Sequence, residues 1–129
     1  MLTILAEAVY DQGRYAEAER LAVRSCELGA KDDIAAQAPA RAVMAKAYAR
    51  FGRFEEAQEL AREAVALSAS TDILTFRGDM EAALAEVLAL CGETEAADAA
   101  RRTAIETYEL KGNVAGASSL RERLERIAA

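Results

Sequence analysis

The side chains that could do chemistry form a short set. Glu17 with Glu19, and Glu55 with Glu56, place carboxylates close together, as general acid–base catalysis requires. Cys26 and Cys91 are potential nucleophiles. Arg101-Arg102, and the run Arg121, Arg123, Arg126, could meet a phosphate. Each possibility weakens on inspection. The chain has no His, so the usual activating base for a thiol and the commonest metal ligand are both missing. The glutamates are interleaved with Arg14, Arg20, Arg53 and Arg62 at helical spacing, the pattern of exposed ion pairs worth about 0.2–0.5 kcal/mol each. Glu122 and Glu125 break up the last arginine group, and no GxxxxGK[ST] phosphate loop occurs. The residues therefore predict no catalytic set, no metal site and no cofactor, and hence no enzyme.

The elements carrying these side chains follow from composition. In 129 residues, 53% are hydrophobic, many of them Ala, and only 5% are aromatic, with 7 Gly and 1 Pro. That is too few turn-formers for a β-sandwich or barrel and the right balance for helices. A net charge of −6 argues against direct nucleic-acid binding and against an anionic membrane surface. The apolar runs are too short to span a bilayer, and the first seven residues lack the charged and apolar regions of a signal peptide. The expected compartment is cytoplasmic. Cys26 and Cys91, without CxxC or metal spacing, read as small core residues on apolar stripes.

An internal repeat decides the architecture. Gly13-Arg14-Tyr15-Ala16-Glu17-Ala18-Glu19-Arg20-Leu21-Ala22 aligns with Gly52-Arg53-Phe54-Glu55-Glu56-Ala57-Gln58-Glu59-Leu60-Ala61, identical at six of ten positions. A fainter copy begins at Gly92, keeping Ala97 but placing Thr94 where the ring stood, so the glycines recur at intervals of 39 and 40 residues. After each glycine runs a helical stripe: Ala18, Leu21, Ala22, Ser25 and Leu28; then Phe54, Ala57, Leu60, Ala61, Ala64 and Leu67; then Ala97, Ala100, Ala104 and Tyr108. Facing stripes precede the turns, with Met44, Ala45 and Tyr48 before Gly52, and Leu84, Val87 and Leu88 before Gly92. Ala45 opposite Ala57, and Ala85 opposite Ala97, let backbones approach closely, with Tyr15 and Phe54 filling the wedge. Such a helix pair cannot bury its second face alone, so pairs must stack.

Asp33 before Ile34 and Asp72 before Ile73 are the expected N-caps. Pro39, and Gly78 at 39 residues on, then fall inside the second and third upstream helices, which are expected to be long and bent there. Val114, Ala117, Leu120, Leu124 and Ile127 form a last amphipathic helix, suited to closing the array. The prediction is an all-α, right-handed α-solenoid of three antiparallel helix pairs (about 1–30, 31–69 and 70–111) with a capping helix over 113–128. These make one domain over 1–129, expected to be a fragment of a longer array because its first helix is short.

These residues resemble tetratricopeptide repeats. Ala6, Ala45 and Ala85 match that family's small position in the first helix, Tyr15 and Phe54 its aromatic after the turn, and Ala18, Ala57 and Ala97 its following alanine. The departures are Ala30 and Ala69 in place of the usual proline, a missing third aromatic, and a period longer than the family's roughly 34 residues. The phrases Leu60–Leu67, Glu86-Val87-Leu88 and Tyr108–Val114 are also similar to C-terminal repeat arrays of large bacterial cyclase-like and transcriptional regulators. The resemblance implies a concave groove lined by the upstream helices, with Thr3, Glu7, Tyr10, Lys46, Arg50, Asp79 and Glu86 as groove residues beside Ala42, Ala49, Ala82 and Ala89. The carboxylate clamp of one family branch is not expected, because Thr3, Glu7, Val43, Asp79 and Ala83 stand in its places. The functional expectation is a protein- or peptide-binding module of a larger signalling or transcription regulator. The alternative is self-association, a homodimer through an uncapped N-terminal end bearing Leu2, Leu5, Val9 and Leu21.

Overall fold

The structure is a computed structural model that describes residues 2–111 and 121–126. Its helices form three hairpins: α1 (Leu2–Asp11) with α2 (Tyr15–Leu28), α3 (Ile34–Arg50) with α4 (Phe54–Ala69), and α5 (Leu74–Leu90) with α6 (Thr94–Lys111). A helical stretch follows over 121–126, and no strand occurs among the described residues. The predicted capping helix falls partly here, where Leu124 packs against the Ala104–Ile105–Tyr108 cluster of α6; residues 113–120 and 127–128 lie outside the described residues.

The three glycine turns share one hydrogen-bond pattern. Gly13, Gly52 and Gly92 all have φ of 82°, the left-handed region that glycine enters without steric cost. The residue after each donates its N–H five residues back, Arg14 to the Val9 carbonyl, Arg53 to Tyr48 and Glu93 to Leu88, at 3.2, 2.9 and 2.9 Å. Each glycine N–H reaches the carbonyl three residues back, that of Tyr10, Ala49 or Ala89. This Schellman arrangement closes the orphan carbonyls of one helix. The carbonyls of Arg14, Arg53 and Glu93 then accept the first bonds of the next, from Ala18, Ala57 and Ala97. Nothing lies within 4 Å of a Cβ built at any of the three glycines, so backbone angle alone explains them.

Alanine sets how closely the hairpins close. Ala6, Ala18, Ala45, Ala57, Ala85 and Ala97 are all at most 1% exposed, and the largest fully buried side chains are only Val43, Val87 and Ser68. Consecutive helices pack throughout; in addition α1 packs on α3 and α3 on α5, whereas among the described residues α2 does not pack on α4, nor α4 on α6. The first helices thus form a continuous inner ladder, and the second helices are splayed along the outside. That asymmetry is the curvature of a tetratricopeptide-like solenoid.

Several details differ from expectation. Asp33 occupies the N-cap of α3 but makes no side-chain capping bond, and Ile73, not Asp72, is the N-cap of α5. As expected, in contrast, both helices are long and run unbroken through Pro39 and Gly78. Gly78 is there for space: a Cβ would lie 2.6 Å from Tyr108 Cε1. Leu28 is 67% exposed, past the point where α3 can cover it, and Phe54 is 43% exposed rather than wedged inside. Val9 is buried and Leu21 packs on the first hairpin's core, so neither belongs to an open end face. Cys26 and Cys91 are half-buried free thiols; Cys91 packs at the edge of the second hairpin's core and caps α5, its Sγ 3.9 Å from the Phe54 carbonyl oxygen.

Candidate functional site

The inner ladder gathers side chains from all three hairpins. Tyr10, near the end of α1, donates its hydroxyl to Glu86 Oε2 of α5 at 2.5 Å and accepts from Arg50 Nε of α3 at 3.2 Å. Its ring lies against Tyr15, centroids 5.1 Å apart, and Lys46 Nζ stands 4.7 Å from its centroid. The Arg50 guanidinium is 5.0 Å from the Tyr15 centroid, so the cation is held by two rings and a hydroxyl. Burial, and then the carboxylate of Glu86, push the Tyr10 hydroxyl well above the ordinary tyrosine range, with Arg50 opposing.

Of the seven predicted groove residues, Tyr10, Lys46, Arg50 and Glu86 meet directly. Glu7 joins them through charge. Although it faces solvent, crowding by the inner face raises its carboxyl above the usual value, chiefly by desolvation; Lys46 opposes this, and Asp11 and Asp79 add to it. Asp79 is exposed and accepts the Tyr108 hydroxyl of α6 at 2.5 Å, which turns it toward its own hairpin. Thr3 departs from the group, its hydroxyl 2.7 Å from Ser25 Oγ in the α1–α2 seam. Val43, one of the clamp positions, is buried in the first core cluster.

Two participants were not anticipated. The sequence pattern places Tyr15 in packing, yet it faces Arg50; only the stacking of hairpin on hairpin reveals this. Tyr108 was read as a core stripe residue, and its partner Asp79 could have been inferred only from the space left by Gly78.

The charged residues considered for chemistry form local pairs. Arg14 pairs with Glu17, and Arg53 with Glu56 at 2.5 Å, while the Arg53 guanidinium also stacks 4.1 Å from the Tyr48 centroid. Arg101 is only 8% exposed and bonded to Asp98 at 3.1 Å, so it offers no phosphate a free cation. Arg121 pairs with Glu109 and Arg126 with Glu122, on an exposed face. Among the described residues no three His, Cys, Asp or Glu side chains are grouped to hold a metal ion, and no helix is long and apolar enough to cross a membrane.

No curated protein matches the chain. The tetratricopeptide repeat family model matches residues 2–24 and 38–63, which are most of the first hairpin and much of the second. Repeats of this family generally serve as protein-interaction modules rather than catalysts. Those two matched stretches each span one of the equivalent glycine turns, and over them the chain is similar to tetratricopeptide repeats.

Proposed function

We propose that the chain is a non-catalytic interaction module that receives a protein or peptide segment on its inner face. The observation that carries this reading is the convergence of Tyr10, Lys46, Arg50 and Glu86 from three separate helices onto one concave surface. A preformed surface with fixed charges binds an extended or helical segment at low ordering cost. Glu7 and Asp79 belong to the same face and supply acidic contacts, whereas Thr3 acts as its edge. The similarity of Leu60–Leu67 and Tyr108–Val114 to repeat arrays of bacterial regulators supports a regulatory or scaffolding role in a larger cytoplasmic protein, with residues 1–129 acting as one array closed by the helix after Gly112. An immobilised library of random 15-residue peptides tests the reading. Some peptides should bind the parent and lose binding to a Lys46→Glu, Arg50→Glu variant shown by circular dichroism to be folded at the assay temperature. Peptides that bind parent and variant alike, or no peptide binding at all, would refute it.

A second reading is self-association through the first hairpin. It is favoured by Ile4 and Leu28, each 67% exposed, and Leu5, 50% exposed. Sedimentation across a hundredfold concentration range should then show a dimer that Leu5→Glu dissolves; a monomer throughout excludes it.

A further inference from the structure

Because the second helices are splayed, each pair of hairpins leaves a seam on the outside, floored by a first helix. The two seams are equivalent by the repeat, with Gln37 and Arg41 of α3 in the places of Arg77 and Glu81 of α5. In the first seam those side chains are consumed internally. Gln37 Nε2 reaches the carbonyls of Cys26, Gly29 and Ala30 at the end of α2, and Arg41 bonds Gln37 Oε1 at 2.8 Å and Glu63 Oε2 at 3.3 Å. In the second seam the corresponding end of α4 is satisfied by its own hydroxyls: Ser68 donates to Val65 O, Ser70 to Leu67 O and Thr71 to Ser68 O. Where α4 presents Leu60, Glu63 and Leu67, α6 has the smaller Ala100, Thr103 and Thr107. A cavity of about 300 Å³ opens there between α4, α5 and α6.

The polar lining of this cavity is sparsely bonded compared with that of the first seam. Glu81 is 8% exposed, and its carboxylate has only the hydroxyl of Thr107, 2.8 Å from one oxygen and 3.1 Å from the other. That hydroxyl also lies 3.0 Å from the Thr103 carbonyl, so one proton serves three acceptors. One turn earlier on the same face stands half-buried Arg77, which no salt bridge joins to Glu81 among the described residues. Arg before Glu at this spacing is the less favourable order on a helix. A buried carboxylate held by one hydroxyl and a half-buried cation with no side-chain hydrogen bond among the described residues thus line one cavity, with Val65, Leu84 and Ala100 as apolar walls.

We propose that this outer seam is a binding site for a small aliphatic α-amino acid, its ammonium group on Glu81, its carboxylate on Arg77 and its side chain against Val65, Leu84 and Ala100. The volume is at the lower end for ligand sites, about 300–1,000 Å³, which suits a molecule of this size rather than a nucleotide or peptide. The site is independent of the inner face.

Titration calorimetry of the full chain with L-leucine tests it, alongside 3-methylbutylamine, which lacks the carboxylate, and 4-methylpentanoate, which lacks the ammonium group. L-leucine should bind, each analogue at least about tenfold more weakly, because each leaves one charged partner without its hydrogen bonds. Glu81→Gln and Arg77→Met should each weaken L-leucine by a similar factor, and Ala100→Leu, which restores the side chain of the first seam, should abolish binding with the fold intact by circular dichroism. Lys46→Glu, Arg50→Glu should leave it unchanged. The proposal is overturned if alanine, valine and leucine all fail to bind at 10 mM (about the weakest affinity a metabolite site would show), if the analogues bind as well as the amino acid, or if Ala100→Leu binds normally.

Discussion

Tyr10 and Tyr108 make the same bond for different ends. Each is about 5% exposed, at 5 and 6%, and each donates its hydroxyl to a carboxylate of α5 at 2.5 Å. Tyr108 reaches Asp79 from the adjacent helix of its own hairpin, through room made by Gly78. Tyr10 reaches Glu86 from 76 residues away, with Arg50 on the same oxygen and Lys46 over its ring. One bond fastens a hairpin; the other fastens the stack and shapes the inner face. A single residue type and bond geometry therefore serve two levels of organisation, and the cations decide which.

Removing the Tyr10 ring should have the largest effect. Tyr10→Ala should cost about 3–5 kcal/mol in urea unfolding, as for other buried aromatics, and abolish any inner-face binding. Keeping the ring and removing only the hydroxyl separates the two cases. Tyr10→Phe leaves half-buried Glu86 without its donor and should cost about 1.5–3 kcal/mol, whereas Tyr108→Phe, whose partner Asp79 can turn to water, should cost about 0.5–1.5 kcal/mol. Equal losses would show that the cations add nothing.

Gly78→Ala tests the space under Tyr108. Overpacking costs about 1–3 kcal/mol and the gain in helix propensity returns about 0.5–1 kcal/mol, so a net loss of about 1 kcal/mol is expected. In a Tyr108→Leu background the same change should stabilise, and a loss in both backgrounds would exclude the ring as the cause.

The smallest effects are in titration. Burial raises both tyrosine hydroxyls above their ordinary value, so their contribution is complete below the usual tyrosine range and lost as pH climbs through the raised folded value. Absorbance at about 295 nm should show two of the four tyrosines ionising only with alkaline unfolding. Burial likewise raises Glu81, with Thr107 and the charge of Arg77 opposing, so this group's contribution is complete below the usual carboxylate range and is lost as pH rises through the raised carboxyl value. Glu81→Gln should remove that fall, seen as a flatter plot of Tm against pH.

The turns were legible because one requirement, a positive φ at Gly13, Gly52 and Gly92, recurs at a fixed interval and no other residue meets it as cheaply. The stripes were legible where alanine faces alanine. Phe54 misled because an aromatic after the turn is buried only if the next hairpin covers it. Arg50 covers Tyr15, but Leu90 holds the corresponding place for Phe54. The family resemblance implies an inner face and assigns Tyr10, Arg50 and Glu86 to it. It carries no information on whether three such residues touch, since that depends on the angle between hairpins. Nothing in the sequence singles out Glu81 and Arg77, and only the register of one seam against the other sets them apart from Gln37 and Arg41.

Stacked-repeat stability is usually written as a sum over single units and adjacent couples. Here the backbones of α1 and α5 do not come together among the described residues, yet a side chain from one is bonded to a side chain of the other. The sum needs a third coefficient that skips a member. Excising the outer hairpin at either end would forfeit more cooperativity than its own neighbour contacts account for.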